Sequence, residues 1–163
     1  AWMLRHRRRP GPGLPPFDPT RLYALQALLY LAAATGIGVT LAFAPRSVAS
    51  LRLAKVYAVC GLYGFMGTMI MGVAGRHVPV LFWTRTLRRS GAPATSSPYR
   101  LRPQPLQILE FASWTAGVPL LASALWLETA ESLQAAAILL LVAVGSSALN
   151  HAASWRRARI TRP

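Results

Sequence analysis

"LAKVYAVCGLYGFMGTMIMGVAGRHVPVLFW", Leu53 to Trp83, is an apolar, glycine-studded run with one charge near its start and an Arg76-His77-x-Pro79 break near its end. A helix needs roughly 20 predominantly apolar residues to cross a hydrocarbon layer about 30 Å thick. Residues 53–75 meet that length. Three further segments do the same, 22–44, 106–127 and 132–154. Among charged side chains only Lys55 and Glu110 fall inside these segments, both near an end, where a side chain can reach the interface. Stretches this long, without period-2 alternation, exclude a membrane barrel.

The connections set the topology. The first link is short and holds Pro45, and the third, Glu128 to Glu131, is tight, so both predict antiparallel hairpins. Between the hairpins "RTLRRSGAPATSSPYRLRPQP" is rich in Arg, Pro and Ser and reads as a polar loop. The expected fold is an all-α polytopic membrane protein with four transmembrane helices arranged as two antiparallel hairpins. A basic Pro/Gly-rich segment, 1–21, precedes a transmembrane domain, 22–155, with a loop over 76–105. A basic tail, 156–163, follows.

Composition agrees. The 163 residues are 53% hydrophobic and 13% charged, about half the charged fraction of a typical soluble domain. Mean hydropathy is +0.36. Lys and Arg number 18 against 4 Asp and Glu, a formal +14. Arginines that bind nucleic acid line a folded surface; these lie almost wholly between apolar segments, so no nucleic-acid partner is expected. Arg5, Arg7, Arg8, Arg9 and Arg21, then Arg76, Arg85, Arg88, Arg89, Arg100 and Arg102, then Arg156, Arg157, Arg159 and Arg162 fall on one side of the predicted membrane. Only Arg46, Arg52 and Lys55 fall on the other. The positive-inside rule then predicts both termini in the cytoplasm, N-in/C-in, in a bacterial inner membrane. Arg5, Arg7, Arg8, Arg9, Arg88, Arg89, Arg156 and Arg157 are the expected contacts with anionic headgroups or a partner. Trp83, Trp114, Trp126 and Trp155 are expected near helix ends, as belt residues.

On a helical wheel Ala54, Tyr57, Gly61, Gly64, Thr68, Gly72 and Gly75 share one face. Small residues let helices approach closely in lipid, so this stripe is the expected helix-packing surface. His77 falls about 160° from Gly61 by the same 100° per residue, and is expected to face away from the stripe in the final turn of a helix ended by Pro79. His151 should reach a similar depth, because helices two and four run parallel. Two histidines level with each other could ligate a b-type haem; His77 and His151 are the candidate ligands of that alternative. Glu110 is expected to pair with an arginine of the long loop. Cys60 stands alone and reads as a packing residue, with no disulfide or Cys metal site possible. No HExxH, GxSxG, P-loop or GxGxxG occurs, and the acids are too few for paired-carboxylate chemistry. No catalytic residue, metal site or resident cofactor is expected.

"GLYGFMGTMIMGVAGRHVPVLF", Gly61 to Phe82, resembles a segment of NnrS-like membrane proteins and, more distantly, of haem–copper oxidase subunit I relatives. There a Gly- and aromatic-rich helix ends in a Gly, an Arg and then a Pro, as Gly64, Phe65, Met66, Gly72, Arg76 and Pro79 do here. The resemblance covers one helix and implies a haem- or copper-associated bacterial membrane protein. Those families carry histidine ligands within their helices, whereas Tyr57 stands where one would sit. Taken with the absence of catalytic motifs, the expected function is a structural or accessory subunit. It would pack against other membrane subunits of a larger energy-transducing complex, respiratory or photosynthetic. A haem b or copper redox protein of the NnrS type is the alternative.

Overall fold

The computed structural model describes residues 19–90 and 98–160. Helix α1 spans Pro19–Phe43 and α2 spans Val48–Val59. A π-helical segment, Cys60–Gly67, joins α2 without a break to α3, Thr68–Ser90. A 3₁₀ turn, Pro98–Leu101, leads into α4, Gln104–Leu127, and α5 spans Ala130–Ile160. There is no strand among the described residues. Four helical rods are long and apolar enough to cross a membrane: Arg21–Phe43, Val48–Arg88, Gln104–Leu127 and Ala130–Ala158. The chain is an all-α protein with four candidate membrane spans.

The helix ends follow local chemistry. Ser47 caps α2: its hydroxyl accepts from the Ser50 N–H at 3.1 Å, and Ser50 Oγ accepts from the Ser47 N–H at 2.9 Å. This reciprocal capping box satisfies two of the donors that a helix start leaves open. Helix α4 stops at Glu128, which adopts a left-handed conformation with φ 57°. The Thr129 N–H then reaches back to the Ala124 carbonyl at 3.3 Å, closing the last turn as in a Schellman motif.

Helix order is legible in the contacts. Tyr57 meets Gly38 and Tyr30 meets Gly64, while Arg21 and Ala24 share a groove with Arg76 and His77. As α1 is followed backward the partner advances, so the first two rods are antiparallel. Leu140 packs on Gly117 and Asn150 binds Glu110, which makes α4 and α5 antiparallel too. Phe82 meets Trp155 edge-on at 5.0 Å, and Thr86 Oγ1 donates to the Ala158 carbonyl at 3.2 Å. Both numbers rise together, so α3 and α5 run parallel.

Three expectations need correction. Helix two does not end at Arg76–Pro79. It continues through a fully buried Pro79 to Ser90, so the first half of the expected loop over 76–105 is helix. The rod Val48–Arg88 has 41 residues, about 60 Å at 1.5 Å per residue, roughly twice the hydrocarbon thickness. Its surplus pairs with the end of α5, and exposed Arg85, Arg88, Arg156 and Arg157 decorate this two-helix extension. Trp114 is no belt residue: it is 6% exposed in mid-helix, and its indole N–H donates to Thr68 Oγ1 at 2.9 Å.

The third correction concerns the glycine stripe. On an unbroken α-helix Val59 and Thr68, nine residues apart, would point in opposite directions. Both are buried, at 4% and 0% exposure. The π-helical segment between them holds i→i+5 bonds and fits more residues into each turn; the Thr68 N–H accordingly bonds the Tyr63 carbonyl. The wheel is therefore reset at Cys60–Gly67, and the stripe is not one continuous face.

Candidate functional site

Several of the polar side chains buried in the bundle meet near the arginine-rich end, between α3, α4 and α5. Pro79 has no N–H, so the carbonyl four residues earlier, that of Gly75, loses its helical donor. Arg102, just before α4, supplies the substitute: its Nη1 donates to Gly75 O at 2.8 Å. This approach depends on glycine. A Cβ at position 75 would lie 2.8 Å from Arg102 Nη1, well inside contact distance. The missing donor of one residue and the missing side chain of another thus create one guanidinium site.

The other arm of that guanidinium meets an acid. Arg102 Nη2 lies 3.2 Å from Glu110 Oε2, and the two side chains are 5% and 1% exposed. Asn150 of α5, wholly buried, donates to the same Oε2 at 3.3 Å. Glu110 Oε1 and Asn150 Oδ1 have no protein partner among the described residues. Tyr23 of α1, 3% exposed, stands with its ring 5.1 Å from that of Phe111, edge-on, and its hydroxyl is likewise without a protein partner. Below the pair, Ser154 donates to Asn150 O at 2.8 Å. The carbonyl of Leu101, itself 1% exposed, takes Arg157 Nη1 at 3.4 Å. The expectation that Glu110 pairs with a loop arginine is met by Arg102. Removing two charges from water is costly unless geometry and further hydrogen bonds compensate. Here the pair carries bonds from α5 and to α3, so it joins three rods.

Above this cluster the contacts are steric. A Cβ on Gly64 would fall 2.5 Å from Tyr30 Cγ, and one on Gly67 would fall 2.7 Å from Trp114 Cζ2. Gly64 therefore packs as expected of the stripe. Thr68 joins it through Trp114, and Gly75 through Arg102. Gly61 has open space where a side chain would go, Ala54 is half-buried, and Tyr57 is 45% exposed although its ring covers Gly38. Gly67, which the wheel omitted, makes one of the closest approaches. Its signal was the Gly61–Gly64–Gly67 spacing, which an α-helical projection smears. Cys60 is buried and free.

The two histidines adopt one posture. His77 Nδ1 lies 3.0 Å from Val73 O, and His151 Nδ1 lies 2.7 Å from Ser147 O, each one turn back on its own helix. His77 is exposed, and it lines a groove with Thr68, Met69, Gly72, Val73 and Arg76. The row 69–73–77 adjoins the row 68–72–76, so His77 does not stand apart from the glycine face as expected. His151 is half-buried and its Nε2 has no partner among the described residues. No group of three or more His, Cys, Asp or Glu able to hold a metal occurs among the described residues.

At the far end of α4, Glu128 binds Arg52 Nη2 at 2.8 Å and Lys55 Nζ at 3.3 Å in the open. The Arg52 hydrogen bond, followed by that of Lys55, holds the Glu128 carboxyl below its ordinary range. Arg88 and Arg156 are exposed and Arg157 is tied to Leu101. Arg5, Arg7, Arg8 and Arg9, and the side chain of Arg89, lie outside the described residues. Comparison of the chain with protein-family models, with curated proteins and with solved structures returns no match.

Proposed function

We propose that this chain is an integral-membrane structural or accessory subunit, built to pack helices within a larger energy-transducing assembly and without chemistry of its own. The observation that carries this reading is the use made of the buried polar groups. Arg102, Glu110 and Asn150 form one set of interhelical bonds and Thr68 and Trp114 another, and of these five only Thr68 lines any of the three grooves found among the described residues. Groups spent on interhelical bonds hold a scaffold together; a transport path or catalytic centre would turn them toward an opening. The link to energy transduction comes from the resemblance of Gly61–Phe82. The basic end, with Arg85, Arg88, Arg156 and Arg157, belongs on the cytoplasmic side of a bacterial inner membrane by the positive-inside rule.

Extraction from native membranes in a mild detergent, followed by native electrophoresis and identification of co-migrating chains, tests this reading. Migration in one defined larger complex is the expected result. A free monomer in every gentle detergent would overturn it.

One observation favours the haem alternative. With Nδ1 of both histidines held by a backbone carbonyl, Nε2 is the nitrogen left to act as ligand, the arrangement usual in metal-ligating histidines. An absorption spectrum of the same purified sample decides it. A Soret band that disappears in both His77→Ala and His151→Ala supports haem b, and a sample without one excludes it.

A further inference from the structure

Between α1 and α3 runs a groove of about 240 Å³, lined by Arg21, Ala24, Met69, Gly72, Arg76 and His77, together with Thr68 and Val73. Its composition changes along its length. Met69, Gly72 and Val73 give it an apolar floor, while Arg21, Arg76 and His77 gather at one end. Among the described residues no acid lines it, and neither Arg21 nor Arg76 forms an ion pair. Of the other described acids, Glu110 is held by Arg102 and Glu128 by Arg52 and Lys55, while Glu131 starts α5 beside Glu128, at the opposite end of the bundle. Two arginines that line one cavity repel each other, and an anion between them removes that repulsion.

The position of this end is informative. The first candidate span begins at Arg21. On the second rod, Arg76 follows 23 residues of near-continuous apolar sequence from Leu53, about 35 Å of helix, slightly more than the hydrocarbon thickness. Arg21, Arg76 and His77 therefore stand where headgroups lie, with the apolar floor running into the acyl layer. Gly72, which has no side chain, forms part of that floor.

We propose that this groove is a specific site for an anionic phospholipid. The headgroup phosphate sits between Arg21 and Arg76, with His77 beside it, and one acyl chain lies over Gly72 between α1 and α3. Guanidinium groups match phosphate oxygens in planar, paired geometry, and basic pockets between membrane helices bind anionic headgroups. The apolar floor favours a lipid over a free anion, which would gain nothing from Met69 and Val73. The site stands apart from the subunit reading and survives if that reading fails.

The test uses the full chain in detergent, titrated with phosphatidylglycerol and read by native mass spectrometry as lipids retained per protein. Wild type should retain phosphatidylglycerol over phosphatidylcholine. The pair R21Q/R76Q should bind it about thirtyfold more weakly, two basic contacts being lost, while R21K/R76K should fall between that variant and wild type, the charge being kept and the paired geometry lost. R85Q/R88Q, which removes two exposed charges beyond the groove, should bind as wild type. Gly72→Leu, which fills the floor and leaves both arginines, should also lose the lipid, so the proposal remains testable if R21Q/R76Q does not fold. Equal retention by R21Q/R76Q or Gly72→Leu would overturn the site. So would an equal loss in R85Q/R88Q, equal binding of phosphatidylcholine, or displacement of the lipid by inorganic phosphate at matched concentration.

Discussion

Two carboxylates near opposite ends of α4 each hold a cation, and the surroundings make them different devices. Glu110 is 1% exposed and meets one guanidinium, which is itself committed to the Gly75 carbonyl. Glu128 is 45% exposed and meets two cations in the open. Water screens the Glu128 pairs, and long side chains held there lose rotamer freedom for little return. Glu110 is shielded from bulk solvent, so each partner is intolerable without the other. Counting ion pairs would rank the outer site first. Burial reverses that order: the inner pair is what fixes three rods in register.

The sharpest way to break the comparison is Glu110→Ala, which leaves the Arg102 charge buried. A loss of about 3–5 kcal/mol is expected, read as a fall in the unfolding midpoint in mixed detergent. Replacing both partners, as in R102M/E110L, should cost far less than Glu110→Ala, because no charge is stranded. A double variant as damaging as Glu110→Ala would show that packing, not charge, carries the site.

A smaller effect tests the backbone half of the clamp. Gly75→Ala places a Cβ 2.8 Å from Arg102 Nη1, so the guanidinium must leave the Gly75 carbonyl at a cost of about 1–3 kcal/mol. Gly61→Ala, with open space at that Cβ, should be neutral or slightly stabilising by the same measurement. Equal losses at the two glycines would remove the distinction between them.

Next comes Pro79→Ala. In the R102M/E110L background the Gly75 carbonyl has lost its donor, and the restored N–H of residue 79 can fill it. There the substitution should gain about 1 kcal/mol more than in wild type, where Arg102 already serves that carbonyl. A double-mutant cycle with no coupling would disprove the substitution of guanidinium for backbone donor.

The smallest loss belongs to Glu128→Gln, which at neutral pH should lower the midpoint less than any of the destabilising substitutions above. Its signature is in pH. The folded-state pKa of Glu128 is depressed, so its contribution is present above the ordinary carboxylate range and is lost as pH falls through the lower folded value. Wild type should therefore lose its small advantage over Glu128→Gln on acidification. An advantage that grows as pH falls would contradict the ion pairs.

How much was legible in advance varied along the chain. Four apolar segments of spanning length announced the rods, because lipid admits a helix only if it is long and uninterrupted by charge. Glu110 announced a need for a partner by being an acid in such a segment. Its partner's identity was hidden: Arg102 is one of many arginines near that end, and selection depends on the carbonyl that Pro79 leaves open. The same proline read locally as a helix terminus, since the rule for an isolated helix counts the lost bond and not a replacement from another rod. Gly67 escaped because a wheel drawn at 100° per residue cannot foresee a π-helical segment.

Composition and hydropathy alone determined that this chain is helical, how many rods it has and which end is basic, since those properties follow from each segment's own transfer energy and length. The tertiary structure decided where α3 stops, which glycines touch a neighbour and which arginine is buried. Each of those outcomes depends on a group from a distant segment arriving at one atom, such as Arg102 Nη1 at Gly75 O, and no local stretch encodes that arrival.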